Sequence, residues 1–301
     1  DIGPSELLIG VKAAGLNFPD VLIIQGKYQM QPDLPFIPGG ECAGVVEAVG
    51  SDVTRWKVGD EVIHSAGSGS FCAKVVAHEM AVLPKPAALS FEAAAGVSIT
   101  YLTSYHALVQ RAQIQPGETL LVLGAAGGVG STAVELGKAL GATVIAAASS
   151  DDKLALCQEL GADHTINYST ESLKDRVKAL TGGKGVDVVY DPVGGDFSEP
   201  AVRSMGWNGR YLVIGFASGP IPSIPLNLTL LKGCAIVGVF WGRFTMEEPE
   251  THQANIKTLW QWFEEGKIKP VITDLFPIEE YEAAYAAMME RRAKGKVILT
   301  L

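Results

Sequence analysis

The stretch Thr119–Gly130, TLLVLGAAGGVG, holds the residues whose types and spacing point most directly to chemistry. The apolar run Thr119–Leu123 reads as a fully buried strand. It breaks into glycines before the helical pattern Val129-Thr132-Ala133-Leu136-Leu140. Strand, glycine turn and helix in that order form the context in which a Gly-rich motif binds a dinucleotide. Without Cβ atoms, Gly127, Gly128 and Gly130 let the turn close tightly. They also let backbone N–H groups and the helix N-terminus approach a pyrophosphate. Ala126 and Val129 sit in the same turn. The competing reading is an ordinary strand-to-helix turn of an α/β protein.

The end of the next strand sets the choice of dinucleotide. A site built for NAD places Asp or Glu there, where it binds the ribose 2′-OH and repels a 2′-phosphate. Here that place reads Ala146-Ala147-Ala148-Ser149-Ser150, with no carboxylate at the strand end. Ser149 can donate a hydrogen bond and Lys153 lies one helical turn on, a set suited to a 2′-phosphate. The expected cofactor is therefore NADPH. Asp151 and Asp152 count against this, but acidic residues at a helix N-terminus also cap it and favour its dipole. Lys153 could equally be a solvated surface residue.

These residues need a scaffold, and the pattern along the chain supplies one. Before about residue 98, short apolar or alternating runs (Leu7–Ala14, Gly44–Val49, Glu61–His64, Cys72–Ala77) are separated by Gly and Pro turns. That is the texture of a small barrel or sandwich. Helical turns start near Ser90 and Thr100. From Thr119 strands alternate with helices. The strands are Thr143–Ala147, His164–Ile166, Val186–Tyr190, Arg210–Ile214 and Cys234–Phe240, with helices Asp151–Leu160 and Thr170–Leu180 among them. Such alternation implies a parallel sheet covered on both faces. Thr251–Glu265 and Ile278–Arg291 read as amphipathic helices. Lys296–Leu301 reads as a closing strand that pairs back into the N-terminal β domain. The expected fold is α/β, a doubly wound parallel sheet inserted in a discontinuous β domain. Residues 1–98 with 243–301 form the outer domain, and residues 99–242 form the nucleotide-binding domain.

Bulk properties exclude other classes. The 301 residues are 48% hydrophobic and carry 24 basic against 33 acidic side chains, a net charge of −9. With no Lys/Arg cluster, the chain is not a general binder of nucleic-acid backbones. No long apolar run is free of charge, so no membrane span is expected. Cys42, Cys72, Cys157 and Cys234 are scattered without a CxxC spacing, which suggests buried thiols in a reducing, cytoplasmic setting. The chain opens on Asp1 and not on Met, so a leading segment is expected to be missing from it and any targeting peptide is invisible. His64, His78, His106, His164 and His252 have no catalytic spacing and read as core or surface residues.

Several further motifs occur in order over nearly the whole chain. They are AAGLNFPD (Ala13–Asp20), QGKY (Gln25–Tyr28), PFIPGGECAGVVEAVG (Pro35–Gly50), KVGDEV (Lys57–Val62), AAGGVG (Ala125–Gly130), GADHTINY (Gly161–Tyr168), VDVVYDPVGG (Val186–Gly195) and GKVILTL (Gly295–Leu301). In these the chain resembles the medium-chain dehydrogenase/reductase superfamily, and within it the zinc-independent NADPH:quinone oxidoreductases. The resemblance implies a GroES-like β domain around a Rossmann domain, with the active site in the cleft between them. It implies a homodimer, or in some members a tetramer, in which strand Cys234–Phe240 pairs across a two-fold axis. It implies that Asn17, Asp20, Tyr28 and Thr103 line the cleft. Asn17 and Tyr28 would hydrogen-bond the acceptor carbonyl, the proton would come from water or Tyr28, Asp20 would orient its neighbours, and Thr103 would touch the nicotinamide side. Each has a plainer reading: Asn17 as a helix cap, Asp20 in a structural ion pair, Tyr28 packed with its hydroxyl in water.

On the cofactor side the resemblance places Tyr168 at the adenosine phosphate end. Val193 with Gly194, and Gly215 with Phe216 and Ala217, follow strand ends at the carboxyl edge of the sheet, where such ligands bind. Phe240 and Trp241 would border the nicotinamide, their rings suited to a flat apolar acceptor; Trp241 could instead serve an interface or the core. Zinc alcohol dehydrogenases of this superfamily carry a ligand Cys where this chain has Asn17, and a His where it has Gly40. Their four-cysteine structural lobe is absent. No metal is therefore expected, and an already electrophilic quinone or α,β-unsaturated carbonyl is the expected acceptor. The alternative is an NADPH-binding protein with a structural or RNA-related role and little turnover.

Overall fold

The computed structural model describes residues 2–301. The first strands are β1 (Glu6–Leu16), β2 (Glu41–Val49), β3 (Glu61–Ser65), β4 (Lys74–His78) and β5 (Val82–Pro84). A short helix, Phe18–Ile24, follows β1 at once. The helix Ser98–Tyr105 runs directly into a wider π-helical turn, His106–Arg111, closed by Ala112 N–H donating to Ala107 O at 2.8 Å. Then come β6 (Thr119–Leu123), β7 (Thr143–Ala148), β8 (His164–Asn167), β9 (Val186–Asp191), β10 (Met205–Val213) and β11 (Ala235–Gly238). The helix Pro249–Glu264 leads to β12 (Ile272–Pro277), helix Tyr281–Met289 and β13 (Lys296–Thr300).

By packing, the chain falls into two compact units. One comprises the chain up to Thr100 together with Trp260–Leu301; the other is Tyr101–Leu259. Both passages lie inside helices, Ser98–Tyr105 and Pro249–Glu264, where no turn or change of composition marks them. The change of sequence texture falls instead at 98/99 and 242/243.

The first unit is a seven-stranded sheet in the order β12-β13-β1-β2-β3-β5, with β4 paired to β1. Its pairings are antiparallel except for β12 against β13. The closing strand does return to the N-terminal one: Leu16 stands opposite Val297 and Ala13 opposite Thr300. The core between these strands is built from Leu7, Ile9, Val11, Ala14, Cys42, Val46 and Val62.

The second unit is a six-stranded, all-parallel sheet in the order β11-β10-β9-β6-β7-β8. Strand β6 sits in the middle, with Leu120 opposite both Val144 and Val188. Leu120, Leu121, Val122 and Leu123 are accordingly all fully buried. Burying each is worth about 1.5–3 kcal/mol relative to exposure. The chain order reverses at β6, and ligands of such sheets bind at the carboxyl end of the strands beside that reversal.

Candidate functional site

In the second unit, the turn after β6 passes through Gly124, Ala125 and Ala126 to Gly127, which precedes the helix Gly128–Ala139. Gly127 N–H donates to Gly124 O at 2.9 Å, and Gly127 O accepts Ser131 N–H at 2.8 Å. No side chain caps this helix, so its first-turn N–H groups remain available to an anion. A Cβ on Gly130 would lie 2.2 Å from Gly124 O, a backbone atom that cannot move aside, so only glycine closes this turn. Ala126 is buried and contributes backbone alone; Val129 is half-buried. A pyrophosphate fits a cradle of this kind.

At the end of β7, Lys153 Nζ stands 3.5 Å from Ser149 Oγ. Ser150 caps the next helix by accepting Lys153 N–H at 3.4 Å. Asp151 is held by Asn167 Nδ2 at 2.7 Å. Ser149 and Lys153 thus come together with no carboxylate at the strand end. Tyr168 follows β8 with its ring against Phe197, centroids 4.4 Å apart.

The turn after β9 is organised by Asp191, which sequence reasoning did not single out. It is buried; Oδ1 accepts Val193 N–H at 2.7 Å and Gly194 N–H at 2.9 Å. Oδ2 accepts the hydroxyls of Ser198 (3.0 Å) and Tyr211. Burial first, and then the Asp191 charge, push the Tyr211 phenol far up. The next turn lies alongside: Ala217 N–H donates to Pro192 O at 3.0 Å and Ser218 N–H to Val193 O at 2.8 Å. Val193, Gly215 and Phe216 are therefore neighbours.

Phe240 is half exposed after β11, whereas Trp241 turns into a cluster of rings. Trp241 meets His252 edge to face at 5.8 Å, and Phe244 stacks on His106 at 3.8 Å. Burial lowers the pKa of both histidines. Thr103 is half-buried on a helix whose next residue, Ser104, is anchored three ways: to Val129 O (3.1 Å), Thr132 Oγ1 (2.8 Å) and the Tyr190 hydroxyl (2.7 Å).

In the first unit, Asn17 and Asp20 lie at the start of helix Phe18–Ile24, both buried. Asp20 Oδ2 accepts Asn17 N–H at 2.7 Å. The Asn17 amide is saturated on its donor side: Nδ2 donates to Glu41 Oε1 at 2.9 Å and, more weakly, to Gly15 O at 3.3 Å. Its Oδ1 accepts Lys296 Nζ. Glu41 Oε1 also pairs with Lys296 Nζ at 2.7 Å, and Oε2 accepts Ile99 N–H at 3.0 Å. Burial raises the Asp20 carboxyl to about 6; the Glu41 charge adds to this, while Asn17 N–H, Lys296 and Gly40 N–H oppose it. Tyr28 is half-buried, its phenol raised by burial and then by Asp20, and its hydroxyl has no protein partner among the described residues. Tyr285, on the helix Tyr281–Met289, is buried with its hydroxyl unpartnered, and it too feels the Asp20 charge. Glu41, Lys296 and Tyr285 are absent from the sequence-based site. Asn17, Asp20 and Tyr28 belong to one unit; Thr103 and every cofactor-side residue belong to the other.

The donor set does not suit zinc. Gly40 offers no side chain, and a Cβ there would meet Ile99 Cδ1 at 3.1 Å and Ala66 O at 3.3 Å. Glu41 is taken by Lys296, and burial pushes the Cys42 thiol up to about 12, far from the thiolate that binds metals. Among the described residues no three His, Cys, Asp or Glu side chains are grouped to hold a metal.

Comparison with known proteins agrees with this architecture. Residues 3–113 match the family "Alcohol dehydrogenase GroES-like domain", and residues 128–265 match "Zinc-binding dehydrogenase". The chain is 40% identical over 301 residues to quinone oxidoreductase-like protein 2 of Rattus norvegicus, covering 100% of this chain and 86% of that one. It is 38% identical over 298 residues to the quinone oxidoreductase of Pseudomonas aeruginosa, covering 99% and 91%. The crystal structure of Escherichia coli quinone oxidoreductase complexed with NADPH superposes with a TM-score of 0.92 at 32% identity, covering 100% of this chain and 93% of that one. The chain belongs to the zinc-independent quinone oxidoreductase family of the medium-chain dehydrogenase/reductase superfamily. Among the described residues no helix is long and apolar enough to cross a membrane.

Proposed function

We propose that the protein is an NADPH-dependent, metal-independent reductase that delivers hydride to a quinone or another α,β-unsaturated carbonyl. The observation that carries this reading is the carboxylate-free end of β7. There the Lys153 ammonium and the Ser149 hydroxyl stand together beyond the glycine cradle. The Gly128–Ala139 N-terminus would take the pyrophosphate, while Ser149 and Lys153 would take the 2′-phosphate. Tyr168, the Val193 and Gly215-Phe216 turns, Phe240 and Trp241 would frame the remainder, with Thr103 on the nicotinamide side. Bound NADPH would supply hydride from its nicotinamide C4.

For the acceptor, the chain needs to orient a carbonyl and stabilise the oxygen that gains charge. Tyr28 has a free hydroxyl for that contact. The proton that completes the reduction would come from Tyr28 or from water through it. The hydride would carry both electrons and the proton would balance the charge, completing a two-electron reduction. Asn17 has no amide hydrogen to spare, so its contribution is to hold the backbone that carries Asp20 in place. All four cysteines are free thiols, Cys42 and Cys157 buried but Cys72 and Cys234, against expectation, partly exposed; unpaired thiols suit a reducing, cytoplasmic setting.

A homodimer is part of the proposal. Strand β11 is an open sheet edge with Ile236 exposed, and Trp207, Leu226, Leu230 and Leu231 are largely exposed in the same unit. An apolar edge strand is a template for pairing with a second copy.

The test is NADPH consumption with a para-quinone, an ortho-quinone, a 2-alkenal and a CoA enoyl thioester, beside NADH and a chelator-treated sample. Oxidation that depends on a quinone or alkenal, is indifferent to chelator and is weak with NADH is expected. NADPH binding without turnover on any acceptor would refute the enzyme reading and favour a binding or structural role.

A further inference from the structure

Lys296 is a buried cation that the proposed reaction leaves without a task. Its Nζ reaches Glu41 Oε1 (2.7 Å), Leu16 O (3.0 Å) and Asn17 Oδ1, three acceptors for three ammonium protons. Its side chain is 6% exposed and that of Glu41 0%. Glycines leave room for the stem: a Cβ on Gly96 would lie 2.7 Å from Lys296 Cγ, and one on Gly15 3.0 Å from Cε. An apolar pair of similar size would serve stability as well or better than a buried ion pair, which costs heavily in lost solvation. A charge kept here asks for a purpose beyond packing.

We propose that Lys296 is a positioning residue of the candidate active site: its ammonium locks the side chain of Asn17 and supplies the positive charge beside Asp20, whose own charge Tyr28 feels. This rests on the reading of these residues as the acceptor-reducing centre. Four ionisable groups are coupled electrostatically to Asp20: Glu41 from β2, Lys296 from β13, Tyr28 from the segment after the Asp20 helix, and Tyr285 from the helix Tyr281–Met289. Lys296 is the cation among them. Without it, the Glu41 charge acts on Asp20 with no cation to balance it, and the Asp20 carboxyl holds its proton to higher pH. Mere loosening of the packing acts the other way. Water would enter and the carboxyl would fall back toward its ordinary value of 3.8. The two roles therefore have opposite signs.

The experiment is a carboxyl NMR titration of the chain carrying 13C-carboxyl aspartate, without cofactor or acceptor, with D20N assigning the resonance. In K296M the Asp20 midpoint is expected to rise by about one pH unit or more. K296Q, which keeps an amide donor, is expected to do the same and serves if K296M does not fold. The pH profile of kcat/KM on the best acceptor should shift in the same direction, and that shift should disappear when D20N is combined with K296M. A midpoint that stays or falls in the folded variant overturns the proposal, as does a K296M effect on kcat/KM that is undiminished in the D20N background. Because the titration needs no turnover, a midpoint that rises in a chain reducing no acceptor refutes the reductase reading alone. Turnover with an unmoved midpoint refutes the role of Lys296 alone.

Discussion

The two clusters of candidate residues, one in each unit, begin alike, each at a helix that starts where a strand ends, and they are built by opposite means. After β6 the chain removes side chains: Gly127, Gly128 and Gly130 leave bare backbone at the head of helix Gly128–Ala139. After β1 it fills the corresponding place with polar side chains that satisfy one another: Asn17, Asp20, Glu41 and Lys296, all buried. The first arrangement is open and offers N–H groups to whatever anion arrives. The second is closed around its own charges, with the hydroxyls of Tyr28 and Tyr285 left without a protein partner among the described residues. A cofactor gripped by its phosphates calls for the former, because backbone donors hold a charge without needing to be held themselves. A carbonyl that must gain a proton calls for the latter, because the groups that govern proton affinity must be fixed.

The contrast can be broken at either side. The largest effect is expected from G130A. The added methyl collides with Gly124 O, so stability should fall by about 1–3 kcal/mol and NADPH binding should be lost with the cradle; a urea midpoint and a fluorescence titration check this. Y28F should lower kcat/KM on every acceptor by about 100-fold while the Kd for NADPH stays unchanged. If Kd moves instead, the two halves are not chemically separate. K153A should weaken NADPH about tenfold and leave NADH as it was, narrowing the preference between them, since one charge-assisted contact is removed. The smallest effect is on the pH dependence of stability. Asp20 titrates above its ordinary value in the fold, so it favours folding most below pH 3.8, and that contribution is lost as pH rises through about 6. D20N should flatten this part of the profile of Tm against pH between 4 and 7.

The same contrast decides what could be read from the sequence. The glycine turn is local: a buried strand, three glycines and a helical repeat lie within a dozen residues, each with a backbone reason to be there. The central parallel strands were legible for the same reason, since burial on both faces makes each a continuous apolar run. The edge strands were harder. Val82–Pro84 is only three residues long, and in Ile272–Pro277 no residue is fully buried, so neither leaves an apolar run long enough to mark a strand. The polar cluster was legible in part. Asn17 and Asp20 stood in a family motif, but their partner Lys296 is 279 residues from Asn17. A signal existed all the same. Lys296 opens the apolar strand Lys296–Thr300, next to Val297, which pairs with Leu16. A lysine at an inward position of a closing strand requires a buried partner, and Glu41, at the head of an apolar strand, requires one too. Asp191 is similar: its role is visible only once four donors converge on it, two from the turn after β9, one from the helix Ser198–Ser204 and one from β10.

The pairing of β13 has a consequence for the order of assembly. That strand lies between β1 and β12, and it brings Lys296 to Glu41 and Asn17. Until β13 leaves the ribosome, a nascent chain has an acidic side chain heading for the interior with no counter-ion, and two strand edges with no neighbour. The nucleotide-binding unit is finished well before that moment, because its residues all precede Trp260. Synthesis therefore passes through a stage in which the unit Tyr101–Leu259 is complete while the other unit still awaits the strand that brings its counter-ion.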